Sequence, residues 1–188
     1  TEQVKHGTMT YYDLWPNDQV GKMDLQSDVT ADYSPGILIN SINDLMNTDP
    51  TTKRSGNVGP EGRAADGIVQ ITSDYTQDTR AKNAAESDVN SKKDYNGCYN
   101  NCSTFAQRVL NAGISPTNVD ASQQVRPQFP LNKMYNDADV VAPNNLYNAA
   151  LKVKGASNIK GPSQAAAKPY LEYFGKTNRK SGKSKGTP

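Results

Sequence analysis

Histidine occurs once in these 188 residues and cysteine twice. That leaves too few ligands for a Cys/His metal cluster, so neither a metal nor another cofactor is expected. Two cysteines are also too few for a disulfide scaffold. Long apolar runs are missing as well. Ile37-Leu38-Ile39 is typical of those present, far short of the roughly 20 residues a membrane-spanning helix needs. No signal-peptide pattern is read at Thr1, and no internal repeat is seen. With 35% hydrophobic residues and a mean hydropathy of −0.78, the chain is polar and its core is expected to be modest.

A net charge of +2 hides an uneven distribution. Residues 150–188 hold nine Lys and Arg against the single acid Glu172, whereas residues 1–149 hold twelve basic and eighteen acidic residues. The composition therefore divides the chain into a body, residues 1–153, and a basic, largely irregular tail, residues 154–188. A lysine-rich end of this kind is ordinarily solvated. Attraction to an anionic membrane surface is the sharper alternative, and a nucleic-acid partner is not expected.

Local patterns give a coarse secondary structure. Residues 4–16 read as one strand closed by Pro16, with Thr8, Thr10, Tyr12 and Leu14 on one face. A polar stretch then runs to Ser34. Leu38, Ile42, Leu45 and Met46 follow helical spacing and predict a helix within residues 34–47. Residues 48–67 are dense in Gly, Pro and Ser and read as loop, and residues 67–72 as a short strand. Ser73 is the expected N-cap of a helix running to about Asn90, with Asp74 and Asp78 in its first turns. Residues 103–113 predict a helix with Phe105, Ala106, Val109 and Leu110 on one face, Gly113 as its C-cap and Pro116 beyond. Residues 143–153 predict another short helix, and 163–174 a last one within the tail.

Both cysteines lie in NGCYNNCSTFAQRVLNAGI, residues 96–114. Cys98 falls in a Gly/Asn turn, whereas Cys102 stands directly before a helix. The amides and partial positive charge of a helix N-terminus favour a thiolate over a thiol. The same amides can bind the oxyanion formed when a thiolate attacks a carbonyl. Cys102 is therefore a candidate nucleophile with a depressed pKa, and the backbone N–H groups of Cys102 and Ser103 are candidate oxyanion donors. The plainer alternatives are that Cys102 is a small buried residue, or half of a Cys98–Cys102 clip in a non-enzymatic binding module.

The stretch resembles a motif of the circularly permuted papain-like proteins, which include permuted NlpC-type peptidoglycan hydrolases and lecithin:retinol acyltransferase-like enzymes. The matching residues are Tyr99, Asn101, Cys102, Phe105, Val109, Leu110 and Gly113. The segment Tyr12-Asp13-Leu14-Trp15-Pro16 is similar to one found near this domain in Rhs-repeat-associated and other interbacterial toxins. The likeness covers roughly residues 4–116. It implies an α+β fold: a permuted papain-like core in which the Cys-bearing helix packs on a small antiparallel sheet that carries the histidine. It also implies amide, ester or thioester chemistry with Cys102 as nucleophile. The histidine of the family precedes the cysteine. Here either His6 is that base, with a shortened connection, or the base lies upstream of Thr1. Asp13, Asn17 and Asp18 are the candidates for the third polar residue, Asp13 first.

What the resemblance implies for function is a secreted effector toxin that acts in the target-cell periplasm as a hydrolase on peptidoglycan amide bonds. Its partners would be a secretion-system carrier, such as a type VI apparatus, and a cognate immunity protein. The alternative is the same fold acting as a phospholipase, acyltransferase or protease on lipid or host protein.

Overall fold

Asp74 caps the longest helix among the described residues, and the reason is local. Its carboxylate accepts from the Gln77 amide, and the Gln77 side chain accepts from the Asp74 amide. This reciprocal pair satisfies two amides that a helix start leaves without partners. The cap is thus Asp74 rather than the expected Ser73, whose hydroxyl donates to Asp78 instead.

The fold is a computed structural model that describes residues 9–16, 26–33, 37–39, 67–125 and 137–162. Among them the chain is α+β, with three helices and eight short strands. The strands are β1 (Met9–Tyr11), β2 (Leu14–Pro16), β3 (Ala31–Tyr33), β4 (Ile37–Ile39), β5 (Ile68–Ile71), β6 (Ser122–Val125), β7 (Ala138–Val141) and β8 (Ala156–Lys160). The helices are α1 (Tyr75–Ser91), α2 (Cys102–Ile114) and α3 (Pro143–Ala150). The strands form antiparallel pairs: β1 with β4, β2 with β3, β5 with β8 and β6 with β7.

Helices α1 and α2 pack against each other, and α2 also contacts β2 and β7. Small residues make this possible. A Cβ added at Gly113 would lie 3.3 Å from the Ala81 Cβ and 3.5 Å from the Gln77 carbonyl oxygen, so the two helices meet at backbone distance there. Leu14 of β2, Ala85 of α1 and Phe105 of α2 form one buried cluster, with Tyr12, Ala31, Tyr33, Tyr95 and Val109 around it. Tyr33 meets Phe105 edge to face, ring centroids 6.1 Å apart, a geometry worth about 1 kcal/mol beyond area burial. A second cluster joins Cys98 to Val125, Ala138 and Val140 across the β6–β7 pair.

Polar side chains finish the joint between the helices. Arg108 of α2 donates to the Asp88 carboxylate of α1 at 2.7 Å and to the Asn100 carboxamide at 2.8 Å. Arg80 of α1 donates to the carbonyls of Gly113 and Ser115, both at 3.1 Å. It thereby satisfies the exposed carbonyl end of α2.

Several expectations are corrected. Of the strand predicted across residues 4–16, the described part, 9–16, is two strands broken at Tyr12-Asp13; residues 4–8 lie outside the described residues. The helix predicted within residues 34–47 is not formed at Ile37–Ile39, which pair as β4 with β1; the rest of that segment lies outside the described residues. Gly113 is not a C-cap: it sits inside the last turn of α2, and Ser115 caps that helix. The tail expected to be irregular from residue 154 contains β8, which extends β5. Gly155, at φ 82°, makes the left-handed turn into that strand, which costs glycine little. The predicted helix at 163–174 lies outside the described residues, as does the loop at 48–66.

Candidate functional site

Asn101 positions Cys102. Its backbone is extended, and its carboxamide oxygen accepts from the amides of Ser103 and Thr104, both at 2.9 Å. Thr104 returns the bond through its hydroxyl, which accepts from the Asn101 amide at 2.8 Å. The Asn101 side-chain nitrogen donates to the carbonyls of Gly97 and Val141. A single buried carboxamide thus caps α2 and ties its start to the end of β7. The helix begins one residue earlier than expected, so Cys102 is its first residue rather than the residue before it.

The two cysteines have different surroundings. Both are thiols, and no disulfide joins them, so the Cys98–Cys102 clip is not formed in this structure. Cys98 is 1% exposed and packs in the β6–β7 cluster. Asn96 holds the turn around it by accepting from the amides of Cys98 and Tyr99. Cys102 is half-buried and faces a cavity of about 500 Å³.

One wall of that cavity is the face of α2 that carries the thiol. Phe105, Ala106, Val109 and Leu110 follow Cys102 at helical spacing and line it in turn. The opposite wall is the break between β1 and β2, with Tyr11, Tyr12, Asp13, Leu14 and Trp15. Most of the lining is apolar carbon. The buried carboxylate on that wall is Asp13, 8% exposed, which accepts from the Trp15 indole N–H at 3.1 Å. Tyr12 donates to Glu86 of α1 at 3.2 Å. Burial and then the Glu86 charge push the Tyr12 phenol up, so it stays protonated and acts as a donor.

Electrostatics corrects one expectation in sign. The Cys102 thiol is held above its ordinary pKa, not below it, and burial is the largest cause. The Ser103 hydroxyl and the amides of Ser103 and Cys102 pull it down, as a helix N-terminus should, and the negative charge of Asp13 pushes it up again. The predicted pull is present, but desolvation exceeds it. At neutral pH this thiol is protonated unless a base takes its proton.

Of the residues predicted from sequence, the structure brings Cys102 and Asp13 to one cavity and places Ser103 in the first turn of α2. The Ser103 amide is shared with the Asn101 carboxamide. The Cys102 amide, at the first helical position, has no partner within the helix. His6, Asn17 and Asp18 lie outside the described residues. Sequence reasoning missed Trp15 as a donor to Asp13, a contact that depends on the break between β1 and β2. It also missed Asn101 as the tether to β7, which needs the partner strand to be known.

No protein family, curated protein or solved structure matches this chain. The chemistry is therefore read from the site's own residues. A thiol on the first residue of a helix, a buried carboxylate on the same cavity and an apolar helix face running on from the thiol are the parts present. Among the described residues no group of His, Cys, Asp and Glu is arranged to hold a metal ion, and no helix is long and apolar enough to cross a membrane.

Proposed function

We propose that this chain is a cysteine hydrolase domain with a permuted papain-like core, of the kind carried by interbacterial effectors, and that it cleaves amide bonds of peptidoglycan. The observation that carries the reading is the joint position of Cys102 and Asp13 on one cavity, with the thiol on the first residue of an apolar-faced helix. Cys102 loses its proton to a base and attacks the carbonyl carbon. The oxyanion is held by the Cys102 amide and by the donors of the first helical turn. The base returns its proton to the leaving amine, and water then releases the acyl group from sulfur. His6, the one histidine of this sequence, is assigned as the base, the alternative being a base upstream of Thr1, and Asp13 as the carboxylate that orients it. Burial raises the Cys102 thiol's pKa, so in this scheme the base must take its proton before attack. In this reading a secretion-system carrier delivers the domain to the target-cell periplasm, and an immunity protein blocks it in the producing cell.

A second reading has its own observation. The wall leading from Cys102 along α2 is apolar for two turns, about 12 Å at 1.5 Å per residue. A polar peptide would leave hydrogen-bonding groups unsatisfied against it, whereas the acyl chain of a lipid would not. On that reading the same chemistry acts on an ester, and the basic residues after 150 contribute about 1 kcal/mol each at an anionic membrane surface.

Purified sacculi and phospholipid vesicles, each incubated with the parent and with Cys102→Ala, separate the two. Soluble muropeptides with new amino termini, absent with Cys102→Ala, support the first reading. Fatty-acid release that is lost in the same variant supports the second. Hydrolysis that survives Cys102→Ala contradicts both.

A further inference from the structure

We propose that the Ser103 hydroxyl is a catalytic group in its own right: it donates a hydrogen bond to Cys102 Sγ when that sulfur is a thiolate and holds it for attack. The proposal rests on the reading of Cys102 as nucleophile and adds to it a residue whose side chain that reading does not use.

The argument begins with what Ser103 has left to offer. Its amide donates to the Asn101 carboxamide as part of the helix cap, at 2.9 Å. That amide is therefore shared and is a weaker donor to anything else. Its side chain is not part of the cap. Ser103 is 4% exposed, so its hydroxyl cannot rely on bulk water, and a buried hydroxyl without a partner costs about 1–3 kcal/mol. Among the described residues, the one polar atom the hydroxyl meets is Cys102 Sγ, at 4.0 Å. That is the long end of a hydrogen bond to sulfur. A neutral thiol is a weak acceptor and does not draw the hydroxyl closer. A thiolate is a charged acceptor, and bonds to charged groups are shorter and roughly twice as strong. The contact is therefore poised to tighten when the proton leaves, so it favours the reactive state over the resting one.

The electrostatics of the thiol run the same way. Among the groups that pull the Cys102 thiol down, the Ser103 hydroxyl comes first, ahead of the two amides. Burial and the Asp13 charge act the other way. The other titratable side chains on the cavity wall are Tyr11 and Tyr12, the latter bound to Glu86. Arg108, on the same helix as the thiol, is engaged by Asp88 and Asn100. None of these is changed by a substitution at Ser103.

The test measures the rate at which iodoacetamide alkylates Cys102 as a function of pH, in the parent full-length chain and in Ser103→Ala. Peptide mass spectrometry assigns the label. The expected result is a midpoint about one pH unit higher in Ser103→Ala, which is roughly tenfold slower alkylation at neutral pH, with the same limiting rate once the thiol is fully ionised. Ser103→Gly, which also lacks the hydroxyl and needs no more space, is expected to follow Ser103→Ala. Curves that overlay the parent in both variants overturn the proposal. The readout needs no substrate, so it is independent of whether the domain hydrolyses peptidoglycan. If hydrolysis is lost in Cys102→Ala while the Ser103 curves overlay the parent, the hydrolase reading stands and the Ser103 role falls.

Discussion

The residues around Cys102 pull its proton affinity in opposite directions. Burial holds the thiol up, the first turn of α2 draws it down, and Asp13 adds a negative charge across the cavity. Asp13 is thus predicted to have two separable effects. In Asp13→Asn the repulsion is gone, so the alkylation midpoint of Cys102 moves to lower pH. Hydrolysis nevertheless falls, by ten- to a hundredfold, because the carboxylate that orients the base is lost. If the midpoint shifts up or activity is retained, Asp13 is not the charge that acts on this site. Trp15 belongs to the same unit: Trp15→Phe keeps an aromatic ring, though a smaller one, but removes the N–H from which Asp13 accepts. Its activity should fall with little change in thermal stability, measured by differential scanning calorimetry beside the parent.

The elements that carry the site differ in how plainly the sequence shows them. Helix α2 is legible because two signals agree: apolar residues at helical spacing and a proline beyond. Helix α1 and strand β5 are legible for similar local reasons. The shortest strands are not. β3 and β4 are three residues each, too short for an alternating pattern, and their partners β2 and β1 lie elsewhere in the sequence. Strand β6 is Ser-Gln-Gln-Val and β8 ends in lysine, so neither looks apolar enough to be a strand until its partner is supplied. Pairing across long sequence separations is a tertiary effect that local propensity does not record. Within the site, Cys102 and Asp13 were readable, whereas the raised thiol pKa was not, because burial depends on which walls close around the sulfur. The cap of α2 gives the prediction at this scale. Asn101→Ala removes an acceptor for two amides and donors to Gly97 and Val141, and should cost about 2 kcal/mol. Denaturant unfolding should show the midpoint falling with an unchanged slope.

For the whole molecule, composition and structure place the end of the body differently. The charge asymmetry puts the boundary at residue 153, yet β8 pairs along β5 after it, and Thr72 donates to the Gly155 carbonyl at 3.1 Å. A chain ended after Val153 should lose several degrees of thermal stability relative to one ended before Asn178, since β5 then has no partner. Equal transitions would show that β8 contributes nothing to the body. The pieces of the candidate site come from distant parts of the chain: the thiol from α2, its tether from β7, and the opposite wall from the β1–β2 break. The account turns on Cys102 as the nucleophile that this assembly holds. The most direct test is to treat the native chain with iodoacetamide and follow residual hydrolysis of sacculi or vesicles alongside the label on each cysteine. The account predicts that activity falls in proportion to modification of Cys102 while buried Cys98 stays unmodified. Activity that persists when Cys102 is fully labelled, or a loss that follows Cys98 instead, would contradict it.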